Sequence, residues 1–317
     1  MSVALADVER ARGVIAPHIF RTPLLSSRQL GERIGAQAHL KPENLQRTGS
    51  FKVRGAVNAV AGLDAAVRAA GIVTMSAGNA AQAIAYAGAS CGARVTVAMP
   101  ETAPRTKVEA TRGYGAEIRF APDSTKLMPI VDELRAAGRH FVHPFDDDAV
   151  IAGHGSIGLE LLEDLPAVDL VVVPVGGGGL IAGIAVALEA KRPAARVVGV
   201  QPEGAQAMRR ALDAGKVVRL ASVSTVADGL SAPFAGERTL EIARRLVDDV
   251  VVIPDEAILD GLRFLVARAR LVAEPAGAAA VGALLSGAVR VKPGERVVAI
   301  VSGGNVDADR LAGFIGG

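Results

Sequence analysis

Lys52 stands in "KPENLQRTGSFKVRGA" directly behind Phe51, at the start of a helix-forming run, "FKVRGAVNAVAGL", with Thr48, Gly49 and Ser50 marking the turn before it. A lysine amine forms imines with carbonyls and carries protons once desolvation lowers its pKa and leaves it neutral. Taken by spacing alone, a lysine in a first helical turn is simply a solvated charge. A second stretch, "VVVPVGGGGLIAG" at 171–183, runs a β-branched segment through Gly176, Gly177, Gly178 and Gly179 into an apolar helix-like segment opened by Leu180. Glycines between a strand and a helix offer an anion bare N–H groups and the positive end of the helix dipole. No Lys followed by Ser or Thr closes the loop, so it is not a P-loop. The strand that follows ends in Gln201, where a nicotinamide dinucleotide needs an acidic residue for its ribose. A small phosphate without a ribose suits the loop better; tight strand-to-helix packing is the bland alternative.

The elements that must position these residues alternate. Apolar, β-rich runs at 71–75, 93–100, 116–120, 169–175, 195–202, 249–254 and 295–304 are separated by amphipathic segments such as Pro104 to Gly113, Asp123 to Gly138 and Asp255 to Val272. Strands so apolar, separated by helices, argue for parallel sheets covered on both faces. A chain of 317 residues exceeds what one core holds, so two lobes are expected. The region from about 70 to "HFVHPFDDD" forms a small inserted lobe and the rest a larger one.

Composition excludes several classes. With 50% hydrophobic, 21% charged and 3% aromatic residues and a net charge of +2, the chain reads as a globular α/β protein. Its scattered basic residues, not interleaved with aromatics, give no nucleic-acid signature. Leu170 to Leu188 is uncharged and nominally long enough to span a bilayer, but Pro174 and the glycines argue for a buried strand, loop and helix. Cys91 is the only cysteine, which excludes an internal disulfide or a multi-thiolate metal site and suits a reducing cytoplasm. The opening "MSVALADVERARG" meets Asp7, Glu9 and Arg10 before any signal-length apolar stretch, so it reads as a mature helix rather than an export signal.

"TGSFKVRGA", "SAGNAAQ", "PVGGGGLIAG", "EPAGA" and "SGGN", in that order, resemble the fold-type II pyridoxal-phosphate (PLP) enzymes, specifically the threonine/serine dehydratase (threonine ammonia-lyase) and serine racemase-like branch. The similarity runs from "RTPLL" at 21 to Asn305. It implies a tryptophan synthase beta-like α/β fold of two domains, each a mostly parallel sheet flanked by helices. A large PLP-binding domain would take 1–69 and 145–317, and a small inserted domain 70–144. Pyridoxal 5'-phosphate would be the cofactor, with Gly176 to Gly179 and Leu180 at its phosphate. Lys52 would hold it as an imine and shuttle the α-proton, Phe51 would pack beside the ring, Asn79 would meet the 3'-oxygen and Ser302 the ring nitrogen. Ser76 and the backbone of Ala77, Gly78, Asn79 and Ala80 would hold the substrate carboxylate. The implied reaction removes water from a β-hydroxy amino acid, such as L-threonine, L-serine or a bulkier analogue like phenylserine, to give a 2-oxo acid and ammonia. Racemisation and β-replacement are the alternatives within the family. The expected partners are the amino-acid substrate and further copies of the chain, as a homodimer or higher homo-oligomer, with no membrane or nucleic acid.

The chain departs from that pattern at several positions. Ala80 stands where most relatives carry His, which opens space near the substrate. Ala77 lacks the hydroxyl that racemases use as a second base. Gln201, Ala205 and Ala207 stand where metal-activated members supply ligands, so no dedicated metal is expected. His154 replaces a common Gln. The short tail after "SGGN" leaves no room for a C-terminal regulatory domain. His140 and His143 would point to opposite faces of a strand, and Asp146 to Asp148 are expected to cap a helix starting near Ala149.

Overall fold

Residues 3–103 and 105–316 are described in a computed structural model. The strands are β1 (Leu25–Ser26), β2 (Gln37–Pro42), β3 (Ile72–Met75), β4 (Val95–Pro100), β5 (Glu117–Ala121), β6 (His140–Phe141), β7 (Leu170–Pro174), β8 (Arg196–Pro202), β9 (Asp249–Ile253) and β10 (Arg296–Val301). They form a six-stranded sheet ordered β1-β2-β10-β7-β8-β9 and a four-stranded sheet ordered β5-β4-β3-β6. Among the described strands β1 and β2 pair antiparallel and the other neighbours are parallel. The apolar runs make parallel strands because both sheet faces are covered. On β7, Leu170 and Val172 enter one core and Val171 and Val173 the other, as the two-residue period of a strand requires.

Each sheet has a switch point. From β7 the chain winds outward to β8 and β9, while β10 lies on the other side of β7; from β3 it winds to β4 and β5, while β6 lies on the other side of β3. Crevices open beyond the carboxyl ends of strands at such points and collect ligands. The glycine run and Ser302 follow β7 and β10. The "SAGN" and "HPFDDD" segments follow β3 and β6.

The core of the smaller sheet is not built from the inserted segment alone. Ile15, Val53, Ala56, Val57 and Val60 share one core with Ile72, Val95 and Val97, the Lys52–Ala61 helix packing on the Asn79–Cys91 helix, which in turn covers the four-stranded sheet. Several helices are shorter than their amphipathic patterns. The 123–138 pattern becomes a 3-10 turn over Ser124–Lys126, capped by Asp123, and a helix over Leu127–Ala136. The 255–272 pattern is helical over Asp255–Phe264, passes through one π turn and stops at Arg270, whose φ is +62°. A helix covers Arg105–Gly113; the expected start at Pro104 lies outside the described residues. Among the described residues no helix is long and apolar enough to cross a membrane.

Candidate active site

The glycine run leaves β7 and enters the Gly179–Lys191 helix, with Gly178 as N-cap at φ +99°, a conformation that disfavours any side chain. Gly177 is glycine for a different reason. A Cβ there would lie 2.3 Å from the Phe145 ring, and one at Gly179 would lie 2.9 Å from the Phe145 carbonyl. Thr239 donates its hydroxyl to the Gly177 carbonyl at 2.7 Å, and the Gly236 N–H donates to the same oxygen at 3.2 Å, so that oxygen is satisfied within the fold. The first N–H groups of the helix, those of Gly179, Leu180 and Ile181, have no intrahelical acceptor, an arrangement that suits an anion.

Phe145 belongs to the loop after β6, and nearly every residue of that loop is tied down. His143 Nδ1 accepts from the backbone N–H groups of Phe145 and Asp146. Asp146 accepts from the amides of Glu237, Arg238 and Thr239 at the start of the Glu237–Leu246 helix, while Asp147 caps the Asp148–Asp164 helix through Ala149 and Val150. Of the three expected caps, only Asp147 caps that helix; Asp146 serves the start of the Glu237–Leu246 helix instead, and Asp148 is the first helical residue, paired with Arg238. Burial pushes the His143 imidazole down to about 4, so it stays a neutral acceptor, and His140 sits apart on β6. Among the described residues no group of three or more His, Cys, Asp or Glu is placed to hold a metal.

Lys52 meets this loop at Pro144, whose carbonyl accepts from Nζ at 3.0 Å. Desolvation lowers its amine to about 8, leaving a usable neutral fraction at physiological pH. Nζ lies 5.1 Å from the centroid of the Phe51 ring. The Lys52–Ala61 helix has no side-chain cap; instead its entry is bound to β10, with Phe51 N–H donating to the Ser302 carbonyl at 3.1 Å and Ser50 bridging Gly303. Ser302 is buried, and its hydroxyl donates to the Ala276 carbonyl at 3.4 Å.

Asn79 opens the Asn79–Cys91 helix after β3. Its Nδ2 donates to Glu274 Oε1 at 2.5 Å, leaving its second hydrogen free for another acceptor, and its Oδ1 accepts from Asn305 at 2.9 Å. Ser76 Oγ accepts from the Gly78 N–H at 3.0 Å, which shapes the turn before the helix and keeps the hydroxyl hydrogen for another acceptor. Ala77, Gly78 and Asn79 are partly exposed and Ala80 is buried on the first turn. Gln201 is spent within the fold: its amide donates to the Val175 carbonyl at 3.1 Å and its oxygen accepts from Arg209 N–H at 2.9 Å, while Ala205 and Ala207 are buried.

Three groups carry no role in the sequence reading. Glu274, from "EPAGA", is held up at about 7 by burial, and its Oε2 has no partner. His154, fully buried, accepts from Gly55 N–H through Nδ1 and packs edge-on against Phe51 with centroids 4.7 Å apart. Burial, then Lys52 and Arg54, hold it well below the usual imidazole range, so it completes the first turn of the Lys52 helix as a neutral ring. Arg54 itself is buried among carboxylates.

Nearly the whole chain, residues 15–303, matches the family described as pyridoxal-phosphate dependent enzyme. The chain belongs to this family. A catabolic L-threonine dehydratase TdcB of Staphylococcus aureus (strain N315) is 43% identical over 99% of this chain and 92% of its own. Among solved structures, maize serine racemase superposes with a TM-score of 0.94 at 36% identity, over 98% of this chain and 96% of that one. A T.th. threonine deaminase gives 0.90 at 40% identity, over 96% and 99%. The residues present fit a member of this PLP family: a side-chain-free run at Gly176–Gly179 leading into a helix N-terminus, a desolvated amine at Lys52 and a buried neutral hydroxyl at Ser302.

Proposed function

We propose that this chain is a dehydratase, an ammonia-lyase that removes water from L-threonine, L-serine or a bulkier β-hydroxy amino acid to give a 2-oxo acid and ammonia. The observation that carries the reading is the Lys52 amine on the Pro144 carbonyl, one residue from the ring that fills the space beside Gly177. A single dipeptide thus joins the imine-forming group to the phosphate cradle.

When bound, the cofactor supplies an electron sink for the α-carbon of an amino acid. Gly176–Gly179 and Leu180 would hold its phosphate, Phe51 would lie beside its ring, and Asn79 and Ser302 would meet its 3'-oxygen and ring nitrogen. Ser76 and the backbone of Ala77 to Ala80 hold the substrate carboxylate. Lys52 would take the α-proton at Nζ as the Cβ–O bond breaks and the Cα=Cβ bond forms, so that the proton lost from Cα and the hydroxide lost from Cβ together make up the water released. The enamine left behind tautomerises and hydrolyses to the 2-oxo acid and ammonia. The names of the dehydratase and deaminase relatives support elimination. Racemisation is favoured by the maize structure, but Ala77 carries no hydroxyl to deliver a proton.

The reading includes a cytoplasmic homo-oligomer with a smaller inserted domain. Phe20, Leu45 and Val272 are 48%, 49% and 51% exposed. Gln46 binds Phe20, and Asn44 binds the Val272 carbonyl, so the three lie on one face that a second copy would cover. Light scattering on wild type and Leu45→Lys tests this.

The deciding experiment is 2-oxo acid release from a panel of β-hydroxy amino acids by PLP-loaded protein. Release from threonine or serine, lost after hydroxylamine treatment and dialysis, is expected. Rapid D-serine formation without 2-oxo acid would replace the dehydratase reading by racemisation.

A further inference from the structure

Directly beneath the Lys52 helix lies a cluster of charges that the proposed chemistry does not use. Lys41, Glu43 and Arg54 are 0% exposed and Glu160 is 4%. Arg54 spends all five guanidinium hydrogens. Nε and Nη2 donate to Glu43 at 2.7 and 2.8 Å, Nη1 and Nη2 to Glu160 at 2.6 and 3.0 Å, and Nη1 also to the Ser156 hydroxyl at 3.1 Å. Lys41 closes the cluster through Glu160 at 2.6 Å and the Thr22 carbonyl at 2.7 Å, and Thr22 donates to Glu43 at 2.5 Å. Two cations face two carboxylates, so the cluster is neutral.

Desolvating such ions offsets much of their attraction, and apolar residues of equal volume commonly stabilise a core as well or better. The cluster's placement points to what it does instead. Arg54 is the third residue of the Lys52 helix, Lys41 and Glu43 flank the end of β2, and Ser156 and Glu160 lie on the Asp148–Asp164 helix. That last helix crosses the Lys52 helix so closely that a Cβ on Gly153 would lie 2.5 Å from the Arg54 carbonyl. The Lys52 helix has no side-chain cap to fix its rotation. A planar fork gripped from two sides fixes both the rotation and the height of a helical turn, which a point charge does not.

We infer that Arg54 is a positioning residue: gripped by Glu43 and Glu160, it sets the first helical turn so that Lys52 reaches the cofactor. The inference rests on the proposed PLP-dependent lyase reading.

The test compares wild type, Arg54→Lys and the charge-balanced pair Arg54→Met/Glu43→Gln, which leaves Lys41 with Glu160. Two readouts are taken on PLP-loaded protein: the fraction of Lys52 joined to the cofactor after borohydride reduction, by mass spectrometry, and kcat and KM for threonine. An ångström of misplacement at a reacting group costs on the order of 100-fold. Both variants are expected to fold, to show a several-fold lower trapped fraction and a kcat lower by about 10- to 100-fold, with KM within about 2-fold. A folded variant with wild-type attachment and kcat overturns the inference. So does failure of both variants to fold, which would assign the cluster to stability alone. Absence of attachment or turnover in wild type would instead overturn the lyase reading.

Discussion

Lys52 and Pro144, 92 residues apart in the chain, are joined by a 3.0 Å hydrogen bond from Nζ to the proline carbonyl, at the meeting of the two sheets' switch points. The amine there is desolvated and lowered from 10.5 to about 8. The folded protein therefore binds fewer protons at Lys52 than the unfolded chain between pH 8 and 10.5, and stability from this group rises with pH across that window. Below it, the buried charge is a cost.

Replacing Lys52 by Ala is expected to lower turnover by roughly 1000-fold or more, because the imine former and proton carrier are both removed. Arg does not rescue it, since a guanidinium stays protonated. Cofactor-free Lys52→Met should unfold at higher denaturant than cofactor-free wild type at pH 7, with the gap closing by about pH 10.5. Urea titrations at the two pH values check this.

Glu274 has the opposite pH signature. Burial raises its carboxyl from 4.5 to about 7, so the folded state holds a proton the unfolded chain has lost, and stability from this group falls as pH rises from 4.5 to 7. Glu274→Gln keeps the oxygen that accepts from Asn79 and removes the titration. It should be more stable than wild type above pH 7, by about 1–3 kcal/mol, and equal to it near pH 4.5. Thermal melts across pH decide; parallel curves for the two proteins would refute it.

Gly177→Ala places a methyl 2.3 Å from the Phe145 ring. The expected loss is about 1–3 kcal/mol of stability, with weaker PLP binding because the displaced ring drags the Pro144 carbonyl and the loop with it. Phe145→Leu in the same chain should recover part of the stability. Calorimetry with and without PLP measures both effects.

Gln201 joins the Val175 carbonyl to the Arg209 amide, a bridge made wholly of protein. EDTA is expected to leave activity unchanged within about 2-fold, since 201, 205 and 207 carry none of the carboxylates that Mg²⁺ and Ca²⁺ prefer. Gln201→Glu loses the donor to Val175 and should cost about 1–3 kcal/mol. A several-fold loss with EDTA, restored by Mg²⁺ in wild type, would contradict this.

Ala80 is buried at the start of the Asn79–Cys91 helix, where the proposed carboxylate contacts are made by backbone amides and do not involve the side chain. Ala80→His is therefore expected to spare threonine and serine and to lower kcat/KM for phenylserine-like substrates by roughly 10- to 100-fold. Equal losses across the panel would leave Ala80 without a part in specificity.

The sequence by itself determined the parallel strands and the order of the motifs. Runs such as "LVVVP" and "RVVAIV" are buried on both faces, and a strand that apolar has one stable environment. It also marked Lys52 and the glycine run, because local pattern carries a helix start and missing side chains. It did not disclose β2, whose "QAHLKP" reads as polar: Lys41 is buried there with Glu160, 119 residues away, neutralising it and the Thr22 carbonyl accepting a second hydrogen. Nor did it disclose why Gly177 is glycine, which depends on a phenylalanine brought by the other sheet. Glu274 lay unassigned in "EPAGA", and the partner that gives it meaning, Asn79, is 195 residues distant. Tertiary structure alone decided such pairings, because a buried charge or an absent Cβ is defined by what faces it, and the facing group comes from another part of the chain.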